Sequence, residues 1–155
     1  MTEERNGDHA TSHVPWPILR RSTPAPRLAV GFCYGGHPAC WASSENDDIV
    51  AGVVLHPSIQ LEAFAFGGSV EDLVKSVKCP FQLMPAGNDV PMWAEDGAYV
   101  SAFKQGPKGS EFAYHVFSET THGWSIRGDV GNETVKRDVK LAMEEIKAFL
   151  AKHMA

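Results

Sequence analysis

From residue 27 onward, short apolar runs alternate with amphipathic stretches. RLAVGF (27–32), β-branched IVAGVVLH (49–56), CPFQLMPA (79–86) and EFAYHVF (111–117), the last with apolar residues at alternating positions, predict four buried strands. The stretches between them predict helices over about 37–44, with Pro38 tolerated in the first turn, over 70–77, and over about 92–104. A longer helix is predicted over about 132–153. There Val135, Val139, Ala142, Ile146, Phe149 and Leu150 fall on one face, Asn132 offers a cap, and Lys152 and His153 close the last turn. Strands alternating with helices predict an α/β fold, a three-layer sandwich around about four parallel strands.

Residues 1–26 break this pattern. They are rich in Pro, Ser, Thr and Arg, show no period, and carry Pro15, Pro17, Pro24 and Pro26. They are expected to form a flexible lead segment, leaving 27–155 as the one patterned domain. No internal repeat is visible.

Composition narrows the function classes. With 155 residues, 43% hydrophobic and 21% charged, the chain suits one modest soluble domain. A formal net charge of −5 argues against nucleic acid or an anionic membrane as partner. No apolar run approaches the roughly 18 residues a membrane span needs. The first fifteen residues hold no apolar core of a secretory signal. Three cysteines, Cys33, Cys40 and Cys79, do not suggest a disulfide framework, so a reducing, cytoplasmic compartment is expected.

The chemistry concentrates in GFCYGG (31–36), which ends one predicted strand and opens a helix. It matches a nucleophile elbow, G-x-Nuc-x-G, with Gly31, Cys33 and Gly35 in the three positions. Such a turn forces unusual backbone angles on the nucleophile and calls for small neighbours, while the helix N-terminus below favours a thiolate. The plainer alternative is a glycine-rich turn holding a structural cysteine. An elbow of this kind needs an acid and a histidine later in the chain, on loops after strand ends. Asp89, in GND after strand 79–86, and His122, in SETTHGW after strand 111–117, meet the order and the placement; a turn aspartate and a loop histidine are the alternatives. The backbone N–H of Tyr34 is placed to serve as an oxyanion donor. His56 ends its strand on the same side, with a structural turn role favoured. Cys33, His37 and Cys40 lack the spacing of a usual metal site, so no metal is expected. Trp93 and Trp124 flank the Asp89 and His122 loops as candidate walls of a substrate pocket, or as ordinary packing.

GFCYGG, AGNDVP (86–91) and THGWSIRGD (121–129) together resemble the dienelactone hydrolase family of α/β-hydrolases, over a stretch from about Leu28 to the C-terminus. The resemblance implies a Cys33–Asp89–His122 triad acting on small esters or lactones, typified by a carboxylate-bearing dienelactone, with no cofactor. It implies that Arg127, five residues past His122, binds the substrate carboxylate. A full member carries several more strands and helices before the elbow, including the loop that donates a second oxyanion N–H. Residues 1–26 do not resemble that region. The expectation is a shortened member whose strand 27–32 has a partner on one side only and self-associates through its bare edge. Two rival readings are a crippled relic or truncated product serving as a binding module, and a redox-responsive thiol protein using Cys33.

Overall fold

The computed structural model describes residues 25–154. The lead segment expected over 1–26 therefore lies almost wholly outside the described residues. Four strands, β1 (Arg27–Phe32), β2 (Ile49–Leu55), β3 (Phe81–Met84) and β4 (Ala113–Tyr114), form one parallel sheet in the order β1-β2-β3-β4. Among the described residues six α-helices accompany them: α1 (Gly36–Glu45), α2 (Leu61–Ala65), α3 (Val70–Lys75), α4 (Ala98–Gln105), α5 (Trp124–Arg127) and α6 (Glu133–Met154). No helix among the described residues is long and apolar enough to cross a membrane.

Strand alternation divides the core into two layers. Val54, Phe81 and Leu83 face one side, where they pack with Cys40 of α1, Val70, Leu73 and Val74 of α3, and Val100 and Phe103 of α4. Val53, Leu55 and Met84 face the other, against Trp124 of α5 and Ala142 and Ile146 of α6. The predicted apolar stripe of the last helix is the face that docks: Ala142 and Ile146 are buried, and Val139, Phe149 and Leu150 pack beside them. Burying a side chain the size of Ile146 is worth about 1.5–3 kcal/mol. The exposed Lys140–Glu144 pair on the outer face contributes far less. Asn132 caps the helix, its Oδ1 accepting the N–H of Thr134 at 2.9 Å.

Where element boundaries differ from the pattern, a specific residue is responsible. The strand expected over 79–86 shrinks to 81–84 because Pro80 and Pro85 have no N–H to give the ladder. The strand expected over 111–117 keeps only two residues of regular pairing, although the N–H groups of His115 and Phe117 continue to the carbonyls of Leu83 and Pro85. The helix expected over 92–104 splits into a 3-10 turn at Pro91–Trp93 and α4, because Gly97 between them is extended. The helices α2 and α5, five and four residues long, are too short to leave a periodic signature.

Two features position the site. Phe32 pairs with Leu55, and Leu55 with Met84, so three strands end level and release their loops at one end of the sheet. β1 stands at the sheet edge, paired only with β2 among the described residues. Leu28 and Val30, 37% and 42% exposed, lie on the α6 side of that edge.

Candidate active site

Cys33 follows β1 directly and has φ 52°, in the left-handed region that a non-glycine residue rarely occupies. Holding it there costs on the order of 1–3 kcal/mol, which the surrounding packing must offset. One 3-10 turn, Cys33–Gly35, then runs into α1. A Cβ on Gly31 would stand 2.3 Å from the Gly35 carbonyl oxygen, and one on Gly36 would stand 2.7 Å from Val54 Cγ1. A Cβ on Gly35 would meet nothing within 4 Å. The expectation that both flanking glycines are needed for close approach is thus corrected: Gly31 and Gly36 meet that need, and Gly35 does not.

Above the turn, the sulfur meets His122. Its Nε2 lies 3.1 Å from Cys33 Sγ, and its Nδ1 lies 2.6 Å from Asp89 Oδ1. An ionised carboxylate only accepts, so Nδ1 carries the proton and donates it, leaving Nε2 to face the sulfur. Asp89 is held in turn: its side chain is 4% exposed, and Oδ2 accepts the Ala86 N–H at 2.8 Å. The His122 backbone is pinned by its N–H donating to Asn88 Oδ1 at 2.6 Å. The hydrogen bond to His122 lowers the Cys33 thiol from its ordinary value, aided by Ser58 and the Tyr34 N–H against the opposing effect of burial. Burial pulls His122 down, but its hydrogen bonds to Asp89 and Cys33 outweigh that, and its net direction is up. Both shifts favour a thiolate–imidazolium pair.

Beneath the turn lies His56, fully buried and itself at φ 35°. Its Nδ1 accepts the Cys33 backbone N–H at 3.0 Å. That nitrogen therefore bears no proton, and the Nε2–H donates to Ser125 Oγ at 2.7 Å. Ser58 completes the clasp, its N–H donating to the Cys33 carbonyl at 3.2 Å and its Oγ lying 3.8 Å from Sγ. His56 is lowered to about 4, first by burial and then by the nearby charges of His122 and Arg127. The sequence puts His56 at the active end with a turn role favoured, and does not single out Ser58, Asn88 or Ser125. Their one signal in the sequence is placement: His56 and Ser58 follow β2, Asn88 precedes Asp89, and Ser125 lies three residues past His122 in α5.

The Tyr34 backbone N–H faces the sulfur, while its side chain is exposed. Arg127 ends α5 with its guanidinium over Gly123, close enough that a Cβ there would lie 2.5 Å from Nη2. It makes no ion pair with Asp129 or Glu133 among the described residues. Trp93 and Trp124 are 1% and 2% exposed and sit in the two core layers, which is the placement of packing side chains. His37 is bonded to Glu62 at 2.7 Å and stacked on Phe66, and Cys40 is a fully buried thiol pushed up by desolvation, so neither joins Cys33. Ligand atoms of Cys33, His56 and His122 lie within 4.8 Å of one another. Both His56 nitrogens are already engaged, so Sγ and His122 Nε2 remain, half of a tetrahedral set.

Comparisons with known proteins bear on the family and the fold. A sequence model described as the Dienelactone hydrolase family matches residues 19–154. No curated protein matches the chain. Among solved structures, the chain is similar to the orthorhombic crystal form of Pyrococcus horikoshii acylaminoacyl peptidase, with 19% identity and a TM-score of 0.55. It is likewise similar to the uncomplexed form of that peptidase, with 22% identity and a TM-score of 0.54, and to an acylaminoacyl peptidase in complex with Z-Gly-Gly-Phe-chloromethyl ketone, with 21% identity and a TM-score of 0.53. Each match covers 81% of this chain and 24% of the other, so the chain spans about a quarter of the length of these peptidases.

Proposed function

Because the chain belongs to the dienelactone hydrolase family, we propose that it hydrolyses small esters or lactones through Cys33, His122 and Asp89. The observation that carries this reading is the unbroken hydrogen-bond chain from Asp89 through His122 to Cys33, set at the level ends of parallel strands. The Cys33 sulfur, as thiolate, attacks the acyl carbon, and the Tyr34 N–H donates to the oxygen that gains charge. The carbon–oxygen bond to the leaving group breaks, and the His122 imidazolium gives that oxygen its proton. A thioester remains on Cys33. His122, neutral again, takes a proton from water as it attacks the thioester, and the thiolate departs with the free acid formed. Asp89 keeps Nδ1 protonated and the ring oriented throughout. Arg127, exposed and without an ion pair among the described residues, is the group we assign to a substrate carboxylate.

Turnover of p-nitrophenyl acetate and of a carboxylate-bearing lactone tests this. Loss of both activities in Cys33→Ala and in His122→Ala is expected; activity that survives in either variant refutes it.

The bare edge of β1 supports a second element of the reading, association between two copies of this chain along residues 27–32. Strand backbone with no partner among the described residues, beside exposed Leu28 and Val30, is a template for further pairing.

A further inference from the structure

We propose that His56 is a positioning residue that sets the distance between the Cys33 sulfur and His122; the role rests on the proposed function.

A residue at φ 52° cannot continue the strand pairing of β1, so its N–H turns inward and must find an acceptor there. His56 Nδ1 is that acceptor, at 3.0 Å. A buried N–H left without one costs as much as the strain it helps to hold. The Cys33 carbonyl is taken by the Ser58 N–H, so residues 56–58 grip both backbone groups of the nucleophile.

The other end of the ring reaches the opposite loop. Ser125, whose Oγ accepts from His56 Nε2 at 2.7 Å, lies three residues past His122 in the first turn of α5. The His56 ring also stands edge-on to His122, with centroids 5.1 Å apart and planes at 63°. One side chain thus touches the nucleophile's backbone, the serine of the histidine loop and the histidine itself. A fully buried ring with both nitrogens engaged has one orientation to choose, and through it the Sγ to Nε2 distance is held. The ring has to be neutral to do this, because a protonated Nδ1 could not accept. The charged and titratable groups facing it are His122, Arg127 and Cys33, and its other neighbours, Phe32 and Trp124, do not titrate.

A merely structural histidine would change melting temperature and leave the thiol alone. The test is therefore the rate of Cys33 alkylation by iodoacetamide against pH, read by peptide mapping, in the wild type, His56→Ala, His56→Asn and Ser125→Ala. The wild type should react well below the ordinary thiol range of about 8.5. At about pH 6, His56→Ala should react about tenfold more slowly, the worth of one buried hydrogen bond. His56→Asn, whose Oδ1 can stand where Nδ1 stands, should stay within about threefold, with Ser125→Ala between the two. Profiles unchanged in all three variants overturn the role of His56 and leave the proposed function intact. An ordinary thiol profile in the wild type overturns the Cys33–His122 pair itself, and this role with it. If His56→Ala does not fold, Ser125→Ala decides: a slowed profile supports the role, and an unchanged one overturns it.

Discussion

His122 Nε2 stands 3.1 Å from Cys33 Sγ, although 89 residues separate them in the chain. The pair exists because β1 and the loop after β4 reach the same end of a parallel sheet.

Removing the base should therefore be costly. His122→Ala should lower ester turnover by about 100- to 10,000-fold, the usual worth of a positioned acid–base group. Asp89→Asn should lower it less, since the ring remains but its tautomer and orientation are no longer held. Glu119 is committed to Arg137 at 2.7 Å and cannot readily substitute. Steady-state kinetics on p-nitrophenyl acetate checks both; unchanged turnover in Asp89→Asn would show that the acid is assigned wrongly.

Much of this arrangement was legible because its signals are local. The apolar runs around Val53 and Leu83 mark central strands, and Gly31–Cys33–Gly35 marks a turn between strand and helix. Asp89 and His122 follow from their places after strand ends. Long-range contacts were not legible. Nothing near His56 in the chain announces that its ring lies under Cys33, since the contact spans 23 residues and depends on the register of β1 against β2. The tryptophans show the same limit in reverse. Trp93 and Trp124 lie close to the Asp89 and His122 loops in sequence, but only tertiary packing decides that their rings point into the core.

Acid should destabilise the fold partly through His56. In the unfolded chain the ring takes its proton near 6.5, and in the folded chain only near about 4. Between those values the unfolded state binds more protons, so this contribution to stability is lost as pH falls from the first value towards the second. His122, raised in the fold, acts in the opposite sense: its contribution is present in acid and lost as pH rises through its folded value. Urea midpoints at about pH 7 and about pH 4.5 should fall further for the wild type than for His56→Asn. An equal fall in both would show that His56 is not held neutral.

Substrate charge should be read by Arg127. Arg127→Ala should raise KM for a carboxylate-bearing lactone about tenfold or more, the value of a charge-assisted hydrogen bond, with little change for a neutral ester. Equal effects on the two substrates would assign the guanidinium to its contact with Gly123 alone.

Association along β1 should respond to charge. Val30→Lys places an ammonium on the exposed side of the edge strand, a common device against pairing. On size exclusion the wild type should elute ahead of its monomer mass and the variant should return to it. A wild type that elutes as a monomer would contradict the proposed self-association.

The most direct measurement is the covalent one. A brief reaction with p-nitrophenyl acetate, quenched in acid and mapped by mass spectrometry, should find the acetyl group on the Cys33 peptide. Cys40 and Cys79, both buried with thiols pushed up, should carry none. The adduct should vanish as the substrate is exhausted. Release of p-nitrophenol with no acetyl on Cys33 at any time would contradict a thioester at this cysteine, and with it the hydrolase mechanism proposed for this chain.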